Sequence, residues 1–311
     1  MGFNRDRLFN CSILVLLACL VSACSSPKKD DEEDSSFIIS SGDIVISSVG
    51  SKDVKVFDST GIYKGTLLEI ENASGQAPYG LAYNPLTNEI LVAVDSAGSR
   101  SIKAVSISTL TVRDFSTSAA LSGSLRGLAM LTSGDLLVVI SSGNRVEKLN
   151  GVTGTQITAG AWPKSLQTAG SGIGARASGT FVHCSTTTDA VRLYDAAGTQ
   201  TATASSGITG TTDVMDCKSD FSGNIYASFN GTTDTIRKYN PTLGSTTWSY
   251  SNTVTLPNPG GLAVRSDGSV LVVDQTLNYV MVVSADGLTA TPLGNDSNNF
   301  ISSPYGILII P

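Results

Sequence analysis

The side chains best placed to act together stand immediately before a small residue that recurs along the chain. These positions hold Tyr79, Arg126, Ser171, Asp213, Gly260 and Tyr305. The small residues that follow are separated by 47, 45, 42, 47 and 45 residues, and all are glycine except Val214. If the repeated units form a ring, their phenol, guanidinium and carboxylate groups meet at one mouth and suit a ligand site built from loops. Alternatively, Arg126 and Asp213 simply pair with each other or bind water.

A further aromatic candidate is Trp162, in the loop 160–166 beside Lys164. An exposed Trp there could stack on a sugar or an aromatic group. It could equally fill a gap between two neighbouring units. We include Trp162 with Tyr79, Arg126, Asp213 and Tyr305 in the predicted ligand site.

Metal chemistry has few side chains available. His183 is the single histidine, so a site with two or three histidine ligands is excluded. The carboxylates of Asp95, Asp213 and Asp274 are candidate ligands for calcium, which prefers oxygen. However, Asp at a strand end often caps a turn instead, and we therefore expect no cofactor unless calcium binds at these three residues.

Nucleophilic and phosphate chemistry lack a matching pattern. His183 and Cys184 are adjacent in an apolar run and should point to opposite faces of a strand, which argues against a Cys–His pair. No P-loop pattern follows a strand. Cys184 and Cys217 are the two cysteines beyond residue 24, and they are either disulfide-bonded or two buried thiols. The formal net charge of −6, without a basic stripe, argues against nucleic-acid binding.

The element that must position these groups is a unit of about 45 residues, clearest in Pro259–Gly287. An apolar run opened by Gly261 is followed by the turn Ser266–Gly268, a buried run 270–274, a loop, a third run 279–283, a turn and a weaker fourth run. Short apolar runs separated by turn residues predict four antiparallel strands. Such a unit cannot bury both faces alone, which indicates propeller blades.

The two ends of residues 39–311 complement each other. The segment from Asp43 supplies strands two, three and four of a blade that lacks its first strand, and 307–310 offers a single extra strand. We therefore predict an all-β, six-bladed β-propeller with four antiparallel strands per blade. Its ring closes when the C-terminal strand pairs with the N-terminal blade, which protects a sheet edge.

The motif GGLAVRSDGSVLVVDQTLNYVMVVSADG at 260–287 resembles an NHL repeat, and 39–311 as a whole resembles NHL or SMP-30-like six-bladed propellers. The units at 136–160 and 180–204 match the motif loosely. Lactonases of the SMP-30-like group bind a divalent cation at the channel, so the resemblance implies a cation-dependent lactonase or hydrolase as one alternative. The three-histidine zinc centre of NHL-type amidating lyases is excluded, because His183 stands alone.

The N-terminus resembles that of a bacterial lipoprotein. Arg5 and Arg7 precede an apolar core, 11–21, that is too short to span a bilayer, and Val21–Cys24 resembles a lipobox. We predict a signal peptide at 1–23, and a lipidated Cys24 with a disordered tether at 24–38; a plain secretory signal is the alternative. Ser25 lacks the Asp that would resemble an inner-membrane retention signal, so we expect an outer-membrane location in the cell envelope.

These observations favour a monomeric, membrane-anchored scaffold that binds a protein or a small molecule at its channel mouth. The lactonase remains the alternative, with Asp95, Asp213 and Asp274 as its weak metal candidates.

Overall fold

The structure is a computed structural model, and it describes residues 37–311 except 72–74, 96–99, 118–120, 161, 167–168, 205–212, 232–234, 253–254 and 295–299. The predicted signal peptide, Cys24 and most of the tether therefore lie outside the described residues. No helix in the described part is long and apolar enough to cross a membrane. The 24 strands of the described residues all belong to Phe37–Pro311, so this compact segment holds the whole described core, and we expect it to fold on its own.

The strands form six sheets of four antiparallel strands, which are the blades of a β-propeller. Blade 1 contains β1 (Ile44–Ser48), β2 (Asp53–Phe57), β3 (Tyr63–Glu69) and the last strand, β24 (Pro304–Ile309). Blade 2 contains β4 (Ala77–Asn84), β5 (Glu89–Asp95), β6 (Ser101–Ser106) and β7 (Val112–Ser116). Blade 3 contains β8 (Leu125–Met130), β9 (Asp135–Ile140), β10 (Arg145–Asn150) and β11 (Lys164–Ser165), with a short 3-10 helix at Ser141–Gly143.

The other three blades follow in chain order. Blade 4 contains β12 (Gly170–Ala175), β13 (Phe181–Ser185), β14 (Ala190–Tyr194) and β15 (Gln200–Ala204). Blade 5 contains β16 (Asp213–Ser219), β17 (Ile225–Asn230), β18 (Thr235–Tyr239) and β19 (Thr246–Ser251). Blade 6 contains β20 (Pro259–Val264), β21 (Val270–Asp274), β22 (Tyr279–Val283) and β23 (Ala290–Pro292). The predicted fold class is therefore confirmed.

The ring closes through β24, which supplies the inner strand of blade 1. In the antiparallel register Ile46 lies opposite Ile307 and Ser47 opposite Gly306. The Ser47 hydroxyl accepts the Gly306 N–H and donates to the Tyr79 carbonyl of blade 2, so one side chain joins the closure to the next blade. The predicted pairing of the two chain ends is confirmed.

The recurring glycine lets neighbouring inner strands approach closely. A Cβ at Gly127 would lie 2.9 Å from the Ser171 carbonyl oxygen of the next blade, and a Cβ at Gly80 would overlap the Arg126 carbonyl. The same holds for Gly261 against Tyr305 and for Gly306 against Tyr79. Glycine is needed here because any side chain would push the blades apart.

The antiparallel order divides the loops between two ends of the ring. We call one end the mouth face: it carries the loops that enter each inner strand and those between the second and third strands. The other end, the turn face, carries the turns between strands one and two and between strands three and four. The described residues begin at the turn-face end of blade 1, where Ile39 is buried in the core.

Candidate functional site at the channel mouth

Tyr79, Arg126 and Tyr305 form one cluster at the mouth face, which we call the mouth cluster. The Arg126 guanidinium carbon lies 4.0 Å from the centre of the Tyr79 ring, a cation–π arrangement. The Tyr305 ring meets the Tyr79 ring edge to face at 5.0 Å. The structure thus brings together three of the five residues predicted for the ligand site.

A carboxylate from blade 2 fixes the arginine. The Arg126 Nη1 donates to Asp95 Oδ2 at 3.0 Å, and Arg100 Nε donates to Asp95 Oδ1 at the same distance. The alternative that Arg126 pairs with Asp213 is wrong, because Arg126 pairs with Asp95 instead. Since Arg126 is held from two sides, it presents its charge in a fixed direction.

Burial of the Tyr305 phenol raises its pKa; the nearby Arg126 charge opposes this rise, while Asp216 and Tyr79 add to it. Tyr305 therefore stays protonated at neutral pH and keeps a donor O–H. The mouth cluster can offer the Arg126 cation and the partly exposed Tyr79 ring to a partner, whereas Tyr305 lines the channel cavity.

Asp213 does not occupy the ring position expected of it. In blade 6, the pair Leu262–Val272 lies two residues from the pair that adjoins the hairpin turn. In blade 5, Cys217–Ala227 is the pair at the same distance from its turn, so Cys217 corresponds to Leu262. The register therefore aligns Asp216, not Val214, with the recurring glycine. Asp213 is exposed at the start of β16, and its pKa is raised by desolvation and by nearby Asp189.

The residue that sequence reasoning missed is Asp216, which is buried in the channel wall. Its Oδ2 accepts the Leu262 N–H of blade 6 at 3.1 Å, and its Oδ1 accepts from Lys218 Nζ at 3.1 Å. Asp216 thus links two blades where glycine would otherwise permit direct contact. The spacing of the repeat could have identified Asp216, because gaps of 45, 44 and 45 residues separate Gly127, Gly172, Asp216 and Gly261.

Trp162 is not at the mouth. Its side chain is buried between blades 3 and 4, with 6% of the residue exposed, and lies beside Phe181 with ring centres 6.2 Å apart. Lys148 and Lys164 each place an ammonium 5.7 Å from its ring centre. The prediction of a stacking surface at Trp162 is wrong, because packing against the core already covers the indole.

The three aspartates predicted for calcium do not fit a shared ion. Asp274 is fully buried, and its oxygens accept backbone N–H groups of Asn258, Thr276 and Leu277 at 2.7–2.9 Å, so it caps a turn. Asp95 is already paired with two arginines. No group of three His, Cys, Asp or Glu side chains in the described part of the chain is placed to hold a metal ion.

The two remaining candidates from the sequence are structural. Cys184 and Cys217 are disulfide-bonded across the interface of blades 4 and 5, with Cα atoms 5.9 Å apart. His183 is fully buried on the opposite face of β13, and neither ring nitrogen has a hydrogen-bond partner among the described residues. Burial, with a smaller contribution from Arg192, lowers its pKa to about 3.

The channel below the mouth cluster is narrow. Its cavity, lined by Gly80, Gly127, Ser171, Met215, Asp216, Gly260 and Tyr305 among others, has a volume of about 20 Å³. That is room for about one water molecule, whereas small-molecule sites usually measure roughly 300–1,000 Å³. Within the residues that the structure describes, this cavity holds about one water, so a larger partner would contact the mouth cluster from outside it.

Comparison with known proteins shows the fold. No family model and no curated protein matches the sequence. Among solved structures, one from a nidogen/laminin complex has a TM-score of 0.69 at 15% identity over 86% of this chain and 98% of its own. A protein of unknown function from Bacteroides caccae has a TM-score of 0.64 at 13% identity over 87% and 99%. Virginiamycin B lyase from Staphylococcus aureus has a TM-score of 0.58 at 11% identity over 74% and 73%.

Proposed function

We propose that this protein is a lipid-anchored, NHL-like β-propeller of the bacterial cell envelope that binds a protein partner on its mouth face. The observation that carries the binding role is the mouth cluster, an arginine held by Asp95 over Tyr79, beside a cavity that holds about one water among the described residues. Tyr and Arg are the side chains that dominate binding energy at protein interfaces. The structural neighbour from a nidogen/laminin complex shows the same fold in a protein–protein complex.

The anchor is proposed from the residues around Cys24, with a polar tether between it and the first blade. The segment 25–36 has no apolar side chain to bury and is rich in charge, as expected of a solvated linker. The matching location is the outer membrane, because Ser25 follows the lipidated cysteine.

Substitution Cys24→Ser is expected to abolish lipid attachment and to remove the protein from the outer-membrane fraction. Mass spectrometry of the mature N-terminal peptide should find Cys24 carrying diacylglycerol in the wild type. The variant Ser25→Asp is the matched control, since it should keep the lipid but move the protein to the inner membrane. A mature N-terminus without lipid on Cys24 would contradict the anchor.

Substitution Arg126→Ala is expected to reduce partner binding at least about tenfold, since hot-spot residues contribute roughly 2 kcal/mol or more. Asp95 keeps Arg100 as its partner, so the fold should tolerate the change. Binding of purified Phe37–Pro311 to envelope extract can be compared with that of Arg265→Ala, a control on the turn face. Equal capture by wild type and Arg126→Ala would contradict binding at the mouth.

A further inference from the structure

Large exposed apolar side chains are concentrated on the turn face. In the described part of the chain eight such residues are exposed, and only Leu277 belongs to the mouth face. The other seven are Ile38, Ile62, Leu86, Val112, Val152, Phe221 and Leu288. Phe221 is 100% exposed and Leu288 76% exposed, each at the tip of a turn. A single exposed apolar residue is ordinary. These seven come from five of the six blades and share one end of the ring, so they favour a contact that covers that whole end and not one small patch.

The position where the chain enters the fold indicates what covers this surface. Ile38, 77% exposed, precedes the first strand at the turn-face end of blade 1. Thirteen residues, 25–37, lie between this point and Cys24, which would be at the bilayer if it is lipidated. A chain of that length reaches at most about 45 Å when fully extended. The turn face is thus the end of the ring to which the tether is joined.

We propose that the turn face docks on the lipid bilayer, with Phe221, Leu288 and the neighbouring apolar tips inserted at its surface. This inference rests on the proposed lipid anchor. The mouth face then points away from the membrane and is free for its partner. Between Phe221 and the C-terminal Ile309–Pro311 a groove of about 710 Å³ opens on the turn face, and its mostly apolar lining, with Asp220, Arg265 and Asp267 at its polar positions, suits a zwitterionic lipid.

The charges on the turn face specify the type of lipid. Hydrogen bonds from Ser269 lower the pKa of Asp267, and those from Ser284 lower the pKa of Asp286, so both turns stay anionic at neutral pH. Asp58 and Asp220 cap two further turns of this face. These four carboxylates outnumber Arg176 and Arg265, the two arginines in the turns of this face, so the face repels an anionic surface within a Debye length. We therefore expect docking on zwitterionic bilayers and weaker docking on anionic ones.

Trp248 provides a reporter inside the protein. Its indole Nε1 donates to the Ala285 carbonyl at 3.0 Å, in the turn that carries Leu288. The other tryptophan of the chain, Trp162, is buried between blades 3 and 4. In a Trp162→Phe background, quenching of Trp248 by brominated phosphatidylcholine therefore measures approach of the turn face to the acyl chains.

The test uses Phe37–Pro311 with an N-terminal hexahistidine tether, captured on phosphatidylcholine vesicles that contain a nickel-chelating lipid. Docking is then measured whether or not Cys24 is lipidated, and Cys24 lipidation is decided separately by mass spectrometry. We expect Trp248 to be quenched, and the docked fraction to fall at least about tenfold in Phe221→Ser/Leu288→Ser, because burial of each side chain is worth about tenfold or more. The matched control Leu277→Ser should leave quenching unchanged.

Phosphatidylglycerol in the vesicles should lower the docked fraction of the wild-type protein relative to vesicles without it. The proposal is overturned if Trp248 is not quenched on captured protein, or if quenching survives in the Phe221→Ser/Leu288→Ser variant. It is also overturned if sedimentation shows that this variant loses a dimer that the wild type forms without vesicles, since a second copy would then cover the turn face.

Discussion

Loss of the Cys184–Cys217 disulfide is expected to lower the free energy of unfolding by about 3–4 kcal/mol. The two cysteines are 33 residues apart, and a cross-link that closes a loop of this length restricts the unfolded chain by roughly that amount. Both side chains are fully buried, so the two thiols of the reduced native state would gain no contact with water to offset the lost cross-link. The bond joins blade 4 to blade 5, where Asp216 replaces the recurring glycine.

Urea unfolding of Phe37–Pro311, refolded with and without reductant, measures this effect. The double variant Cys184→Ala/Cys217→Ala is the control and should unfold at the same urea concentration under both conditions. A wild-type midpoint that does not respond to reductant, with two free thiols confirmed by titration, would show that the disulfide does not stabilise the ring.

Lowering the pH from 6.5 to 5 is expected to reduce the free energy of unfolding by about 2 kcal/mol through His183. Burial lowers the folded-state pKa of His183 from 6.5 to about 3, so the unfolded chain takes up a proton below pH 6.5 that the folded protein does not. Stability is therefore lost as the pH falls from 6.5 toward 3, by about 1.4 kcal/mol per pH unit. Arg192, opposite His183 in the sheet, adds its charge to the same effect.

His183→Leu isolates this contribution, because His183 is the single histidine of the chain. The variant should unfold at similar urea concentrations at pH 6.5 and pH 5, and it should fold well at pH 7, since both ring nitrogens lack partners among the described residues. If the variant keeps the wild-type loss of stability between these pH values, His183 is not its source.

The fold could be predicted because it depends on a period. Strands, turns and the recurring glycine repeat about every 45 residues, and the glycine is required wherever inner strands meet backbone to backbone. Ring closure could be predicted because the first segment lacks a strand that the last one supplies. Both inferences depend on the local pattern of apolar and turn residues in the sequence, and the observed pairing of β24 with β1 agrees with them.

The site was predicted less well because side-chain direction depends on register and packing. Tyr79, Arg126 and Tyr305 follow from the period alone. Asp213 was misplaced because the prediction put Val214 at the glycine position, whereas the register of β16, which matches that of β20, aligns Asp216 with the glycine. Trp162 could not be assigned, since a loop sequence does not reveal that Phe181 and two lysines cover the indole.

The measurement that tests the central claim most directly is photo-crosslinking in intact cells from position 122, an exposed residue of the mouth-face loop that enters β8, four residues before Arg126 in the chain. A photoreactive amino acid in place of Ser122 should give a discrete protein adduct that disappears in the Arg126→Ala background. The same probe in place of Ser222, exposed on the turn face, should give no such adduct. An adduct that forms from Ser222 but not from Ser122, or one from Ser122 that is indifferent to Arg126, would contradict a partner site at the mouth.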